Sequence, residues 1–289
     1  MHQIKIIDGP GSMPCLEIIN SSAKALISLY GAHVLSFIPV GEEEVLMLSE
    51  NSNFTYGKAI RGGIPVCWPW FSAHPVNPAL PSHGFARIHG WALENIQKTS
   101  CEDGSENTIA VFNLLRSAYS ANFEIPEVNV RLIAEVGKKL KVSLETENLS
   151  GEEFSYSCAL HTYFNVSDIS NVRVTGLEGD PCFDSLKQSM TVENGAIAFT
   201  EEYDRIFFST NTCVIHDSGM ARKIVIAKEN SGSTVVWNPW IDKSIRMADF
   251  GDKEYLKMLC IETACVKSDA RTLNPGAKST HSAIISVEH

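Results

Sequence analysis

Basic charge is scarce in this chain: 24 lysines and arginines stand against 34 aspartates and glutamates, a net charge of −10, and the basic residues form no run. That excludes the sequence-independent phosphate attraction on which nucleic-acid binding depends, so any anion bound here is small. Long apolar stretches are missing too. No window approaches the roughly 18 uninterrupted apolar residues of a membrane helix. The opening MHQIKIIDGPGS has no apolar centre of the kind a secretion signal needs, so a soluble cytoplasmic protein is expected. Cysteine itself is not rare, but the spacings of metal and redox chemistry are. Cys15, Cys67, Cys101, Cys158, Cys182, Cys213, Cys260 and Cys265 are scattered without a C-x-x-C pair and read as reduced, small core residues. His74, His83 and His89 show neither H-x-H nor H-x-x-x-H spacing, so no metal is expected. Linkers of low complexity and internal repeats are also absent. At 289 residues and 44% hydrophobic, the chain reads as one domain over residues 1–289.

Long helical patterns are missing as well. QIKII, CLEIIN, KALISL, HVLSFIPV and VLML follow one another at the short intervals of an antiparallel sheet, separated by Gly, Asn, Ser and Pro. WALENIQ, NTIAVFNLL, VNVRLIAEV, LKVSLETEN and FSYSCALHTYF continue the pattern, as do TCVIHD, KIVIAKE, STVVWN, MLCIETACV and HSAIISVE. Only DKSIRMADF and DKEYLKM suit short helices. A chain of strands must close its sheets on one another, which predicts an all-β fold, a large antiparallel β-sandwich.

One stretch departs from the acidic background. RGGIPVCWPWFSAHPVNPALPSHGFARIHGWAL, residues 61–93, holds five of the 12 prolines and three of the five tryptophans, has no Asp, Glu or Lys, and carries Arg61 and Arg87 as its only full charges. Pro and Gly at this density favour an ordered loop system with aromatic walls. The two arginines suit a small anion, or else distant carboxylates satisfy them. Trp68, Trp70, Trp237 and Trp240 read mainly as loop-to-core anchors, with sugar stacking as the other use. His33 reads as part of the first hairpin.

Two further residues carry candidate chemistry. Strand alternation in FSYSCALHTYF puts Phe154, Tyr156, Cys158 and Leu160 on a core face, and Ser155, Ser157, Ala159, His161 and Tyr163 on the other. Small side chains leading to His161 leave room above the sheet. The imidazole there is either a proton donor and acceptor or a histidine satisfied under a loop. Glu262 lies in MLCIETACV, where a carboxylate must be paired, hydrogen-bonded or functional. An ion pair with an arginine and a role as base are both open at this point.

Taken in order, IRGGIPVCWPWF (60–71), HGFAR (83–87), ALHTYF (159–164), YDRI (203–206), VWNPW (236–240) and CIETACV (260–266) resemble the glucose-6-phosphate 1-epimerases. These are the hexose-phosphate mutarotase branch of the aldose 1-epimerase superfamily, which includes plant proteins described as apospory-associated protein C-like. LISLYGAHVLSF (26–37) fits the family's opening strand pair. The resemblance implies a galactose mutarotase-like β-sandwich that binds a hexose 6-phosphate on its concave face and interconverts its anomers without a cofactor; a monomer is expected. It also implies His161 and Glu262 as the catalytic pair, Arg61 and Arg87 as substrate and phosphate ligands, and Asp204 as a sugar contact. Ser82, where some members have glutamine, and His83 are further substrate contacts. Ala264 stands where glycine is frequent.

In anomerisation a base removes the O1 proton and an acid protonates the ring oxygen O5. The C1–C2 bond then rotates and the ring closes on the other face of the aldehyde. Two opposed proton-transfer groups suffice, Glu262 as carboxylate and His161 as imidazolium. The presence of both speaks against a non-catalytic sugar-phosphate-binding protein on the same fold, and the lack of clustered histidines against a cupin-like metalloenzyme. A preference for unphosphorylated sugar is the remaining alternative.

Overall fold

The computed structural model describes residues 3–100, 104–116, 123 and 125–289. Cys101, expected as a core residue, lies outside the described residues. The strand expectation holds. Two eight-stranded sheets form the sandwich, and every pairing of named strands among the described residues is antiparallel. The backing sheet runs Val172–Thr175, Cys213–Asp217, Arg222–Glu229, Lys278–Glu288, Leu140–Asn148, Val128–Val136, Glu106–Leu114 and Trp91–Ser100. Its logic is plain in VNVRLIAEV: Val128, Val130, Leu132, Ala134 and Val136 are buried and the residues between them are not, the period-two pattern of a sheet with one wet face.

The front sheet is different. Its path is Ser189–Val192, Pro181–Asp184, Tyr203–Phe207, Ser233–Asn238, Met258–Cys265, Cys158–Leu160 and Val66–Cys67, with Tyr163–Asn165 also paired to Met258–Cys265. All eight residues of Met258–Cys265 and all six of Ser233–Asn238 are buried. Alternation vanishes because both faces are packed, Leu259, Ile261 and Cys265 in the main core and Met258, Cys260 and Ala264 in smaller clusters on the other side. A four-stranded sheet, Gln3–Asp8, Pro14–Ile19, Ala23–Ser28 and His33–Pro39, supplies further core through Leu16, Ile18, Ile27, Val34 and Phe37.

Local departures have physical causes. VLML forms isolated bridges, Leu46 to Phe164 and Leu48 to Gly62, rather than a strand, because its pairing partner changes from Tyr163–Asn165 to the segment around Gly62 between them. FSYSCALHTYF splits into Phe154–Tyr156, Cys158–Leu160 and Tyr163–Asn165. Its two faces survive the breaks: Phe154, Tyr156, Cys158 and Leu160 join the main core, while Ser157 and His161 face outward. The helix expectations become an α-helix, Trp240–Arg246, and a 3-10 turn, Glu254–Lys257. All seven cysteines among the described residues are free and buried, as expected.

Candidate active site

The segment 61–93 runs from the edge of the front sheet, where Val66–Cys67 pairs with Cys158–Leu160, to the first residues of Trp91–Ser100 in the backing sheet, and its own backbone holds it close. Gly84 has φ +71°, and a Cβ at that position would lie 2.0 Å from the Trp68 carbonyl oxygen. Only glycine lets HGFAR approach CWPWF this closely. The same carbonyl accepts from Phe85 N at 3.0 Å. Trp68 is fully buried, with its ring 5.5 Å from Phe85 and 6.0 Å from Phe154, and Trp70 donates through Nε1 to Pro81 O at 2.9 Å. Both tryptophans are therefore anchors. Trp237, by contrast, borders the cavity. His33 is structural as expected: it is buried and bonds through Nε2 to Gly62 O at 2.7 Å, and burial pushes its pKa down to about 4.

Between this segment and the front sheet lies a cavity of about 700 Å³, in the range of roughly 300–1,000 Å³ typical of small-molecule sites. Arg61, Ser82, His83, Arg87, His161, Asp204 and Glu262, all singled out from sequence, line it together. His161 sits one step beyond the register pair Leu160–Thr263, which brings it beside Glu262 on the neighbouring strand. Its backbone N–H donates to Pro65 O at 3.0 Å, and Tyr163 N donates to Gly63 O at 2.9 Å, so the RGGIP segment is stitched alongside the histidine. The ring stacks on Tyr163 with centroids 4.9 Å apart and planes at 12°.

His161 Nε2 and Glu262 Oε1 are 3.3 Å apart, both side chains nearly inaccessible. The pair is side by side, not opposed as the sequence reading has it. Burial, followed by the like charge of Asp204, pushes the Glu262 carboxyl well above its usual range, against the pull of Arg87. Burial, followed by His83, Arg87 and Arg61, holds the His161 imidazolium well below its usual range. Both shifts run toward a protonated carboxyl beside a neutral imidazole, one proton transfer from the ion pair. His161 Nδ1 and Glu262 Oε2 are buried, and among the described residues neither has a hydrogen-bond partner.

The arginines divide. Arg61 is committed to protein: Nε and Nη2 reach Asp249, at 3.1 Å for the closest contact, and Nη1 donates to Tyr163 Oη at 3.0 Å. Burial alone would lower its pKa, but Tyr163 and Asp249 outweigh that and hold it charged. Arg87 donates through Nη2 to Ser82 O at 2.9 Å, its Nε is buried without a partner, and among the described residues no carboxylate pairs with it. Of the two alternatives open at the sequence level, distant carboxylate satisfaction fits Arg61 and anion readiness fits Arg87. Ser82 is exposed at the rim.

His83 adopts φ +64°, unusual for a side chain of its size, and its Nδ1 accepts from Ser72 N at 3.2 Å. Burial and the two arginines push its pKa down to about 3, so it is neutral and Nε2 carries the donor proton. Asp204 pairs in register with Trp237. Burial raises its pKa, and Lys243 Nζ lies 4.0 Å away. Lys243, Lys267, Gln188, Ser185 and Phe183 also line the cavity, and sequence reasoning passed over them. Lys267 directly follows CIETACV and lies 4.4 Å over the Phe183 ring, and Lys243 sits in the short helix that begins at the last residue of VVWNPW. Adjacency to those motifs was the available signal.

A family profile described as "Aldose 1-epimerase" matches residues 14–286. A protein of Salmonella typhimurium named "Putative glucose-6-phosphate 1-epimerase" is 39% identical over 251 residues, covering 86% of this chain and 82% of its own. One of the same name from Cenchrus ciliaris is 38% identical over 259 residues, covering 87% and 78%. Among solved structures, one titled a "putative mutarotase" from Salmonella typhimurium superposes with TM-score 0.87 at 31% identity, covering 98% of this chain and 96% of that one. Among the described residues no helix is long and apolar enough to cross a membrane.

Proposed function

Because the chain belongs to the aldose 1-epimerase family, and is thus an isomerase, we propose that its cavity interconverts the α and β anomers of a hexose 6-phosphate, D-glucose 6-phosphate first among them. The observation that carries this is the juxtaposition in one cavity of two proton-transfer groups, His161 and Glu262 at 3.3 Å, with a cation, Arg87, that pairs with no carboxylate among the described residues. O1 and O5 of a pyranose are both bonded to C1, so two groups lying side by side suit them.

In ring opening, Glu262 as carboxylate takes the O1 proton while His161 as imidazolium gives one to O5. This leaves the protonated carboxyl and neutral imidazole that burial favours. Burial thus favours the charge state that complements the open-chain aldehyde. Rotation about C1–C2 exposes the other face, and closure returns the protons, restoring the ion pair around the cyclic sugar. The phosphate, remote from C1, meets Arg87. It also offsets the positive charge that depresses His161, which favours the imidazolium needed to begin.

Arg61, held by Asp249 and Tyr163, presents the rest of its guanidinium edge to the same anion. Asp204, His83 and Ser82 contact sugar hydroxyls, and Trp237 forms a wall against the ring. No step needs a metal or organic cofactor. We place the enzyme in the cytoplasm as a monomer of one domain.

The test is equilibration of α-D-glucose 6-phosphate followed by NMR or polarimetry. Acceleration by purified protein at micromolar concentration is expected, with free glucose a poorer substrate. No acceleration would leave a non-catalytic sugar-phosphate-binding protein, and a preference for free glucose would remove the phosphate from the reading.

A further inference from the structure

A second group of reactive side chains lies behind the floor of the cavity, on the face of the front sheet turned toward the backing sheet. Cys158 and Cys265 are register partners on adjacent strands. His281 comes from Lys278–Glu288 of the backing sheet, where it stands opposite Leu144. All three are buried, at 0%, 0% and 3% exposure, and their ligating atoms lie within 4.8 Å of one another. We propose that Cys158, Cys265 and His281 bind a soft divalent cation of the zinc type, which ties the two sheets together directly beneath the sugar site.

The spacing supports the assignment. Cys158 Sγ is 3.7 Å from His281 Nδ1 and 3.9 Å from Nε2. Tetrahedral bonds of about 2.3 Å to sulfur and about 2.0–2.1 Å to nitrogen place S and N roughly 3.6 Å apart. Among the described residues the imidazole's hydrogen-bond contacts are both to that sulfur, a weak acceptor, which is poor satisfaction for a ring buried between two sheets.

Arg271 Nη2 donates to Cys265 Sγ at 3.3 Å and to Asn230 O at 2.6 Å, and pairs with Asp269 at 3.0 Å. It is the outer donor that holds a metal-bound thiolate in place. Its side chain is 27% exposed, so a fourth ligand from solvent reaches the site past it. The charges close. Two thiols and M²⁺ give two metal–thiolate bonds and two protons released to solvent, and with a neutral imidazole the site carries no net charge.

The reading does not depend on the sugar chemistry, and its test needs no substrate. Full-length protein, reduced and stripped with chelator, is titrated with Co²⁺ and then Zn²⁺. One equivalent per chain is expected, with a thiolate-to-cobalt charge-transfer band that Zn²⁺ abolishes. Cys265→Ser or His281→Gln should weaken binding by more than the roughly 10- to 100-fold that outer-shell changes cost. Should those variants fail to fold, X-ray absorption of the zinc-loaded wild-type chain should show two sulfurs and one imidazole nitrogen. The proposal is overturned by a folded wild-type chain that gives no band, by a band that survives Cys158→Ala/Cys265→Ala, by a shell of nitrogen and oxygen alone, or by a Cys158–Cys265 disulfide in the reduced preparation.

Discussion

Replacing Arg87 by alanine separates recognition from chemistry. Its guanidinium pairs with no carboxylate among the described residues, so truncation strands no buried anion. What disappears is the interaction with the substrate's phosphate. Charge-assisted hydrogen bonds of this sort contribute about 1.5–3 kcal/mol. At about 1.4 kcal/mol per tenfold, that raises KM for glucose 6-phosphate roughly 10- to 150-fold. The phosphate is distant from C1, so the loss should fall mainly on KM, with a smaller change in kcat that reflects the pull Arg87 exerts on Glu262 and His161. Thermal stability should shift by no more than about 0.5 kcal/mol.

Arg61→Ala is the contrasting case. It leaves Asp249 unpaired at 21% exposure and frees the Tyr163 hydroxyl, so it should lower the melting temperature as well as raise KM. Steady-state anomerisation with glucose 6-phosphate and with free glucose, alongside a melting curve, reads all of these. If Arg87→Ala leaves KM for the phosphorylated sugar unchanged, or weakens both sugars equally, the assignment of Arg87 to the phosphate is refuted.

Other expectations follow from the same geometry. His161→Ala and Glu262→Gln should each lower kcat by about 10²- to 10⁴-fold with folding intact by circular dichroism, and activity near wild type in either would remove that residue from the proton transfers. The burial that raises the Glu262 pKa makes the folded state costlier as pH rises above the unfolded carboxyl value near 4.5, since that stabilising contribution is complete only below it. Glu262→Gln should therefore be more stable than wild type at pH 7 by about 0.5–2 kcal/mol, with the gap closing below pH 4.5, and denaturant midpoints across pH would expose a reversed trend. His161 has the opposite sign: its lowered pKa contributes stability above about pH 6.5 that is lost on acidification, so His161→Ala should flatten the acid side of the stability profile. Gly84→Ala sets a Cβ against the Trp68 carbonyl at positive φ and should cost more than about 2 kcal/mol, as a denaturant titration would show.

The fold was legible because alternation is a local signal. Val128 through Val136 declare their buried face without knowing their partners. Met258–Cys265 does not, because burial on both sides erases the period, and the short strands Pro181–Asp184 and Ser189–Val192 carry too few apolar residues to mark themselves. At the site, His161 and Glu262 stood out by being polar in apolar company. Their side-by-side placement depends on strand register, which no single stretch encodes. The division between Arg61 and Arg87 was hidden for the same reason, since Asp249 lies 188 residues from its arginine. Cys158, Cys265 and His281 meet only because one sheet lies on the other, and sequence spacing is blind to that.

The strand Met258–Cys265 has one more consequence. It is central, buried throughout, and hydrogen-bonded on both sides, to Ser233–Asn238 and to Cys158–Leu160 with Tyr163–Asn165. Such strands open only when the whole molecule does, so their amides exchange with solvent at the rate set by global unfolding. Glu262 rides on that strand. The carboxylate cannot be lost by fraying, and the lifetime of the active site equals the lifetime of the fold: heat inactivation and loss of the native near-ultraviolet signal should trace a single curve.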